Sequence, residues 1–274
     1  MQDRKFGWIP DKPDHRDERF AFSPQAPIVL PPSVDLRTSG FCPPVLDQRN
    51  IGSCVAFAIA NADLFCQQKQ GYKDSFLPSR LFIYYNTRVI EDTVDFDSGA
   101  MIRDGFKSIA KEGVCPAKMW PYYNSLLFKK PFQKCYDIGG LHQAITYSSV
   151  RQELDYLKSC LAEGYPFVFG FAVYESFMSE ETSKTGIVKM PWWFEKDFGG
   201  HAVGCYGYDD SRKVFIVQNS WSIKWGDNGF FYMPYSYVAN SSLSSDFWTV
   251  RFVENEDSRS YIKSVEIGGN DEKV

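Results

Sequence analysis

The stretch Asp47–Ala60, DQRNIGSCVAFAIA, joins a polar turn to a run that is apolar on every side. Ser53 can cap a helix, and an all-round apolar helix such as Val55–Ala60 is normally buried. Cys54 therefore lies where a loop enters the core as a helix. The positive end of the helix dipole favours a thiolate over a thiol at that position. The stretch predicts that Cys54 is a nucleophile, provided that other groups assist it.

Two later stretches contain groups that could assist this thiol. His201 is one of three histidines and opens an alternating, strand-like run. Asn219 directly follows the strand-like run 214–218 and is followed by Ser220 and Trp221. A free cysteine has a pKa of about 8.5, so attack on a peptide carbonyl requires a base that takes the thiol proton. An imidazole can take that proton and later give it to the leaving amine.

These motifs resemble those of the papain-family cysteine proteases. The matching residues occur in the family's order: Gln48, Gly52-Ser53-Cys54, His201-Ala202-Val203, Asn219-Ser220-Trp221 and Trp225-Gly226-Asp227-Asn228-Gly229. The resemblance extends from about Ser33 to Phe252. It implies an α+β, papain-like fold of two lobes. A helical lobe would carry Cys54, and an antiparallel, barrel-like β lobe would carry His201 and Asn219 across a cleft.

The resemblance also implies a role for each matching residue. Cys54 and His201 would form a thiolate–imidazolium pair, and Asn219 would orient the imidazole. The side-chain amide of Gln48 and the backbone N–H of Cys54 would stabilise the oxyanion. The remaining predicted substrate-binding residues are Ser98, Gly99, Met101, Gly200 and Trp221. An uncharged pocket near Ala100, Met101 and Ala202 would favour an apolar or aromatic residue second on the amino side of the cut.

Periodicity divides the chain into four segments. They are an N-terminal arm or short pro-segment (1–32), the helical lobe (33–146), the β lobe (147–254) and a polar tail (255–274). Helices are predicted from Cys54 to near Gly71, from about Leu77, over 100–111 and over 154–164. Strands are predicted over 167–174, 201–208, 214–218, 229–233 and 247–252.

The arm 1–32 lacks a helical period and has four isolated aromatic residues, namely Phe6, Trp8, Phe20 and Phe22. Papain relatives usually have a longer, helical inhibitory segment. Two interpretations stay open, a permanently docked arm and a removable inhibitory segment of a zymogen. Four aromatic side chains on an extended arm need an apolar groove, so we expect the arm to cross or border the cleft and to reduce activity.

Composition excludes several other functions. The chain has 274 residues, is 44% hydrophobic and has a net charge of −4, so it offers no cationic surface for nucleic acid. No apolar run approaches the roughly 18 residues of a membrane span. The start has no signal-peptide core, which predicts an intracellular protein, or a secreted or lysosome-like one if a leader was removed. No paired metal ligands recur at short spacing, so we expect neither a metal nor a cofactor.

Three departures from the family pattern indicate a divergent branch. Ile51, Val55 and Arg49 stand where the family commonly has cysteine, tryptophan and glycine, so the usual disulfide from that loop cannot form. Cys115 and Cys135 could form a different disulfide. The expected partners are polypeptide substrates and the chain's own N-terminal segment as inhibitor. The predicted activity is that of an endopeptidase; an exopeptidase, an acyl transferase and a catalytically silent, protein-binding relative remain as alternatives.

Overall fold

The computed structural model describes residues 4–15, 17, 19 and 29–254. Its helices are α1 (Cys54–Lys69), α2 (Arg80–Ile90), α3 (Ile102–Lys111), α4 (Gln133–Gly139), α5 (Leu154–Ala162), α6 (Glu180–Thr185) and α7 (Tyr235–Val238). Its strands are β1 (Ser33–Asp35), β2 (Ala144–Ser149), β3 (Phe167–Tyr174), β4 (Asp197–Asp209), β5 (Val214–Gln218), β6 (Phe230–Pro234) and β7 (Ser244–Val253). Short 3-10 turns occupy Leu36–Thr38 and Asn124–Leu126.

The strands form one sheet in the order β2-β7-β3-β4-β5-β6, and β1 adds to β4. Every pairing is antiparallel. The predicted α+β class is confirmed, but the sheet is open, so the expectation of a barrel-like lobe is wrong. The edge of β6 is partly covered, because Ile187 from the β3–β4 connection forms a parallel bridge to Tyr232.

Helix α1 lies at the centre of the molecule. Its residues from Cys54 to Gln67 are all buried, which explains why its sequence has no polar face. Ile59 packs into the cluster formed mainly by the helices, whereas Phe65 packs into the cluster on the sheet. Burying each such side chain contributes about 1.5–3 kcal/mol. Because both clusters pack on α1, its first residue lies at the boundary between helices and sheet.

The predicted helices of the first half and strands of the second half are present, with ends shifted by a few residues. The sequence analysis did not predict α4, α6, α7, β1 or β2. Strand β2 lies at the end of the sheet and exposes Ile145, so it lacks a clear apolar alternation. It also spans both sides of the predicted lobe boundary at 146/147. Phe20, Phe22 and the tail 255–274 lie outside the described residues.

Candidate active site

Cys54 is the first residue of α1 and is completely buried. Its Sγ accepts a hydrogen bond from the backbone N–H of Ala202 on β4, at 3.4 Å. Ser53 occupies the N-cap position, but its side chain does not cap the helix. Instead, the Ser53 hydroxyl lies 2.6 Å from the Tyr122 hydroxyl, which also donates to the carbonyl of Gln48 at 2.9 Å. Tyr122 thus ties the loop of Gln48 to the residue before the thiol.

His201 and Asn219 meet across the sheet as predicted. β4 and β5 pair at Gly204 and Gln218, which brings the start of β4 close to the end of β5. The Nε2 atom of His201 lies 2.9 Å from the Oδ1 atom of Asn219. The buried ring of Trp221 stacks on the imidazole with a centroid distance of 4.9 Å. This tryptophan therefore shields the histidine–asparagine hydrogen bond from water.

The protonation of the two reacting groups differs from the expected ion pair. Burial raises the pKa of the Cys54 thiol to about 11, although backbone N–H groups of Ala202 and Gly7 oppose the shift. Burial also lowers the pKa of His201 to about 4, although Asn219 favours the charged ring. The Nδ1 atom of His201 is buried and has no hydrogen-bond partner among the described residues. With the arm docked, burial therefore favours the neutral thiol and the neutral imidazole.

Gln48 connects the two sides of the cleft. Its Oε1 accepts from the Ser220 hydroxyl at 2.6 Å, which fixes the orientation of the amide group. Its Nε2 donates to the carbonyl of Ile51 at 2.9 Å and to the carbonyl of Lys5 at 3.1 Å. A carbonyl oxygen of the N-terminal arm thus binds the side-chain amide that the family resemblance assigns to the oxyanion.

The N-terminal arm runs through the cleft and pairs with both of its walls. The carbonyl of Gly7 accepts from Ala100 N–H at 2.7 Å, and Ile9 N–H donates to the Ala100 carbonyl at 3.0 Å. On the opposite wall, Trp8 N–H donates to the Gly200 carbonyl at 2.9 Å. A Cβ atom added to Gly7 would lie 2.0 Å from the carbonyl oxygen of Gly52, so only glycine fits there.

The indole of Trp8 fills a pocket between Gly170 and Gly200. A Cβ atom added at those glycines would lie 2.0 Å and 2.4 Å from the ring. The indole N–H donates to the Oδ2 atom of Asp246 at 2.9 Å. The expectation of an uncharged pocket is therefore wrong, because a carboxylate from β7 lies at the end of the indole.

The predicted substrate-binding residues differ in their contacts with the arm. Gly200 binds the arm through its carbonyl, and the Trp221 ring lies 6.1 Å from that of Phe6. The backbone of Ser98-Gly99 does not pair with the arm strand; Ala100 does. The Met101 N–H instead binds the Oε1 atom of Glu91 at 2.7 Å. The sequence analysis missed the pairing of Ala100 with the arm. It also missed Asp97 and Asp246, because the sequence does not show which carboxylates reach the cleft.

The other cysteines form no second site. All seven cysteines, including Cys115 and Cys135, are free thiols, so the considered disulfide is absent. Within the described residues, no three or more His, Cys, Asp or Glu side chains cluster in a way that could hold a metal ion. None of the helices in that part of the chain is both long and apolar enough to cross a bilayer.

A helix-borne thiol bound by the backbone N–H of Ala202, next to a histidine whose imidazole binds an asparagine, is typical of a thiol-dependent hydrolase. The sequence model of the papain family cysteine proteases matches residues 30–249. The chain belongs to that family. The predictions of a papain-like fold and of a cysteine peptidase are thereby confirmed.

Two relatives at 42% identity agree with this assignment. An uncharacterized peptidase C1-like protein of Acanthamoeba polyphaga mimivirus is 42% identical over 273 residues, covering 91% of this chain and 88% of the relative. The crystal structure of xylellain, a cysteine protease from Xylella fastidiosa, is 42% identical with a TM-score of 0.86, covering 92% of this chain and 98% of that one. Digestive procathepsin L 3 of Tenebrio molitor larval midgut shares the fold at 17% identity and a TM-score of 0.68, covering 91% of this chain and 76% of that one.

Proposed function

We propose that the protein is an endopeptidase that cleaves extended polypeptides through a thioester acyl-enzyme. The observation that carries this proposal is the course of the arm, which continues on both sides of the thiol. Arg4 lies beside Asp47 and the Trp221 carbonyl, whereas Asp11 lies beside Trp248. A cleft that holds polypeptide in both directions fits cleavage within a chain better than removal of a terminal residue.

The residues around the thiol support a complete reaction. His201 takes the proton of Cys54, and the sulfur attacks the carbonyl carbon of the substrate. The oxyanion receives hydrogen bonds from Gln48 Nε2 and from the backbone N–H of Cys54. His201 then gives its proton to the leaving amine, and a thioester remains. Water, deprotonated by His201, attacks the thioester and releases the carboxylic acid and the thiol, while Asn219 holds the imidazole.

The same arrangement supports a role for the arm as a reversible inhibitor, as in a zymogen. The arm places Lys5 and Gly7 where substrate backbone must lie, and it helps to bury Cys54. Burial disfavours the ion pair that attack requires, so we infer that displacing the arm hydrates the cleft and permits that pair to form. The structural neighbour from Tenebrio molitor is itself a procathepsin. Trp8 in its pocket agrees with the predicted preference for an aromatic or apolar substrate residue.

Two measurements test the proposed activity. Mass spectrometry after incubation with an epoxide thiol inhibitor should show one adduct on the wild-type chain and none on Cys54→Ala. An internally quenched peptide blocked at both ends should be cleaved by the wild type, and Cys54→Ala should be inactive. Cleavage only of peptides with a free terminus would favour an exopeptidase. Labelling without any cleavage would favour the catalytically silent relative.

A further inference from the structure

The segment that follows α3 carries only positive charge. Residues 113–136 contain no aspartate or glutamate but four lysines, namely Lys118, Lys129, Lys130 and Lys134. All four are exposed, and none of them forms an ion pair within the part of the chain that the structure describes. The net charge of −4 for the whole chain therefore does not describe this face of the molecule.

The apolar side chains of this segment divide into a buried set and an exposed set. Trp120 and Leu127 are buried in the cluster formed mainly by the helices, which explains how the segment is held. Tyr123, Phe128 and Phe132 are instead 59%, 53% and 68% exposed. Exposed aromatic side chains contribute little to folding, and a group of them on one segment indicates a contact surface.

The backbone that presents the exposed rings is firmly held. The guanidinium group of Arg88 donates to the Leu127 carbonyl at 2.5 Å, and its Cζ atom lies 5.7 Å from the centre of the Phe128 ring. The Phe132 ring meets the Trp120 ring edge to face, at a centroid distance of 5.1 Å. A partner would therefore meet a surface that is already ordered, which lowers the entropy cost of binding.

We propose that this protein docks on an anionic lipid bilayer through a basic aromatic surface formed by Tyr123, Phe128, Lys129, Lys130, Phe132 and Lys134. Aromatic rings favour the boundary between headgroups and acyl chains, and lysines are attracted to the negative charge of anionic headgroups. A soluble polyanion would bind the lysines and leave the exposed rings without a partner. Such docking is peripheral and needs no spanning helix. It goes beyond the proposed function and does not involve Cys54.

The basic aromatic surface begins beside the active site. Tyr123 directly follows Tyr122, whose hydroxyl donates to the Gln48 carbonyl at 2.9 Å. The side-chain amide of Asn124 donates to the Oδ1 atom of Asn50 at 3.4 Å. Docking would thus hold the loop of Gln48, and with it one rim of the cleft, close to the lipid headgroups.

A second exposed aromatic stretch offers a comparison. Residues 192–194 are 68%, 92% and 68% exposed. The lysines that precede them are already paired, Lys184 with Glu180 and Lys189 with Glu181, both at 2.6 Å. This stretch therefore has exposed rings beside balanced charges, whereas the basic aromatic surface has exposed rings beside unpaired cations.

Co-sedimentation with lipid vesicles tests the docking of the full-length chain. The vesicles contain phosphatidylcholine alone or phosphatidylcholine mixed with phosphatidylserine, and the wild type should bind strongly only to the mixture. A lysine near an anionic membrane surface strengthens binding roughly fivefold, so Lys129→Gln/Lys130→Gln should bind the mixture roughly thirtyfold more weakly. The matched control, Lys184→Gln/Lys189→Gln, changes the charge by the same amount at exposed lysines and should bind like the wild type.

A third variant tests the aromatic part of the surface. Phe128→Ser/Phe132→Ser should bind the mixed vesicles about tenfold more weakly, and its thermal unfolding shows whether the fold is intact. Equal binding by the two lysine variants, or no binding of the wild type to either vesicle, overturns the proposal. A larger loss in the control would assign the contact to residues 192–194 and overturn it as well. Undiminished binding by the phenylalanine variant would indicate a soluble polyanion as the partner and overturn the bilayer.

Discussion

The two halves of the docked arm are held in different ways. The first half, Arg4–Gly7, crosses the thiol and pairs its two cations with Asp47 and Asp97 near the surface. The second half, Trp8–Asp11, is held in buried surroundings. There the Trp8 indole and the Asp11 N–H both donate to Asp246, at 2.9 and 2.8 Å.

Asp11 adds a further anchor to the second half. Its carboxylate accepts from the Trp248 indole at 2.9 Å and from the backbone N–H of Arg103, in the first turn of α3, at 3.1 Å. The first half is thus held by two ion pairs and by the buried Gly7, and the second half by hydrogen bonds to Asp246 and Trp248. We infer that the second half of the arm supplies most of the docking free energy and that the first half determines which part of the active site is blocked.

The largest effect should come from Trp8→Ala. Trp8 is partly buried, and truncating a tryptophan in a core costs about 3–5 kcal/mol, so this change should cost part of that free energy and also removes the donor to Asp246. The arm should then dissociate readily, and kcat/KM toward a small peptide should rise at least about tenfold. Trp193→Ala is the control, because that tryptophan is 92% exposed. An unchanged kcat/KM in Trp8→Ala would show that the second half does not hold the arm.

A slightly smaller effect is expected from Gly7→Ala. The added Cβ would lie 2.0 Å from the Gly52 carbonyl oxygen, so the arm must shift away from the thiol. Overpacking of this kind costs about 1–3 kcal/mol, which predicts a rise in the rate of epoxide labelling of Cys54 of roughly tenfold. Gly140→Ala introduces the same methyl group at ordinary contact distance and should have no effect. Slower labelling in Gly7→Ala would contradict the close approach.

The pH dependence of inhibition should distinguish the contributions of the two halves of the arm. Burial and the nearby charge of Asp246 raise the pKa of Asp11 from 3.8 to about 7, and burial also raises that of Asp246. A carboxyl group with a raised pKa binds its proton more tightly in the docked arm, so docking weakens as pH rises from about 4 to about 7. Inhibition should therefore be strongest in acid and weakest above pH 7.

The measurement is the ratio of kcat/KM for the wild type to that for Asp11→Asn between pH 4 and 8. Titration of Cys54 and His201 is common to both proteins and cancels in this ratio. The ratio should increase with pH and level off above 7. A flat ratio would mean that the proton on Asp11 does not control the arm.

The smallest effect is expected from Arg4→Ala. Its ion pair with Asp47 is partly exposed, with the two side chains 12% and 34% exposed, and ion pairs open to solvent contribute about 0.2–1 kcal/mol. We expect a rise in kcat/KM of less than about fivefold, which should disappear in high salt because the pair is screened. Assays without added salt and with roughly 1 M salt test this. A salt-independent increase would mean that Arg4 acts through its contact with Trp221 instead.

The sequence by itself indicated the family, most helices and strands of the two halves, and the candidate reacting groups. Strands β3 and β5 have the predicted bounds, because their apolar runs end at polar or turn residues. Cys54, His201, Asn219 and Gln48 could be found because each lies in a short motif whose chemistry is local. The buried surroundings of Cys54 also followed from the apolar run after it.

Only the tertiary structure decided how those groups are covered and charged. Burial favours the neutral forms of Cys54 and His201, and the backbone N–H of the distant residue Gly7 opposes this at the thiol. Asp97 and Asp246 reach the cleft through chain folding, and their own neighbours in sequence give no sign of it. The sheet is open, and the β3–β4 connection contacts its β6 edge through the bridge between Ile187 and Tyr232. Contacts between residues far apart in the chain depend on packing, and local periodicity contains no information about them.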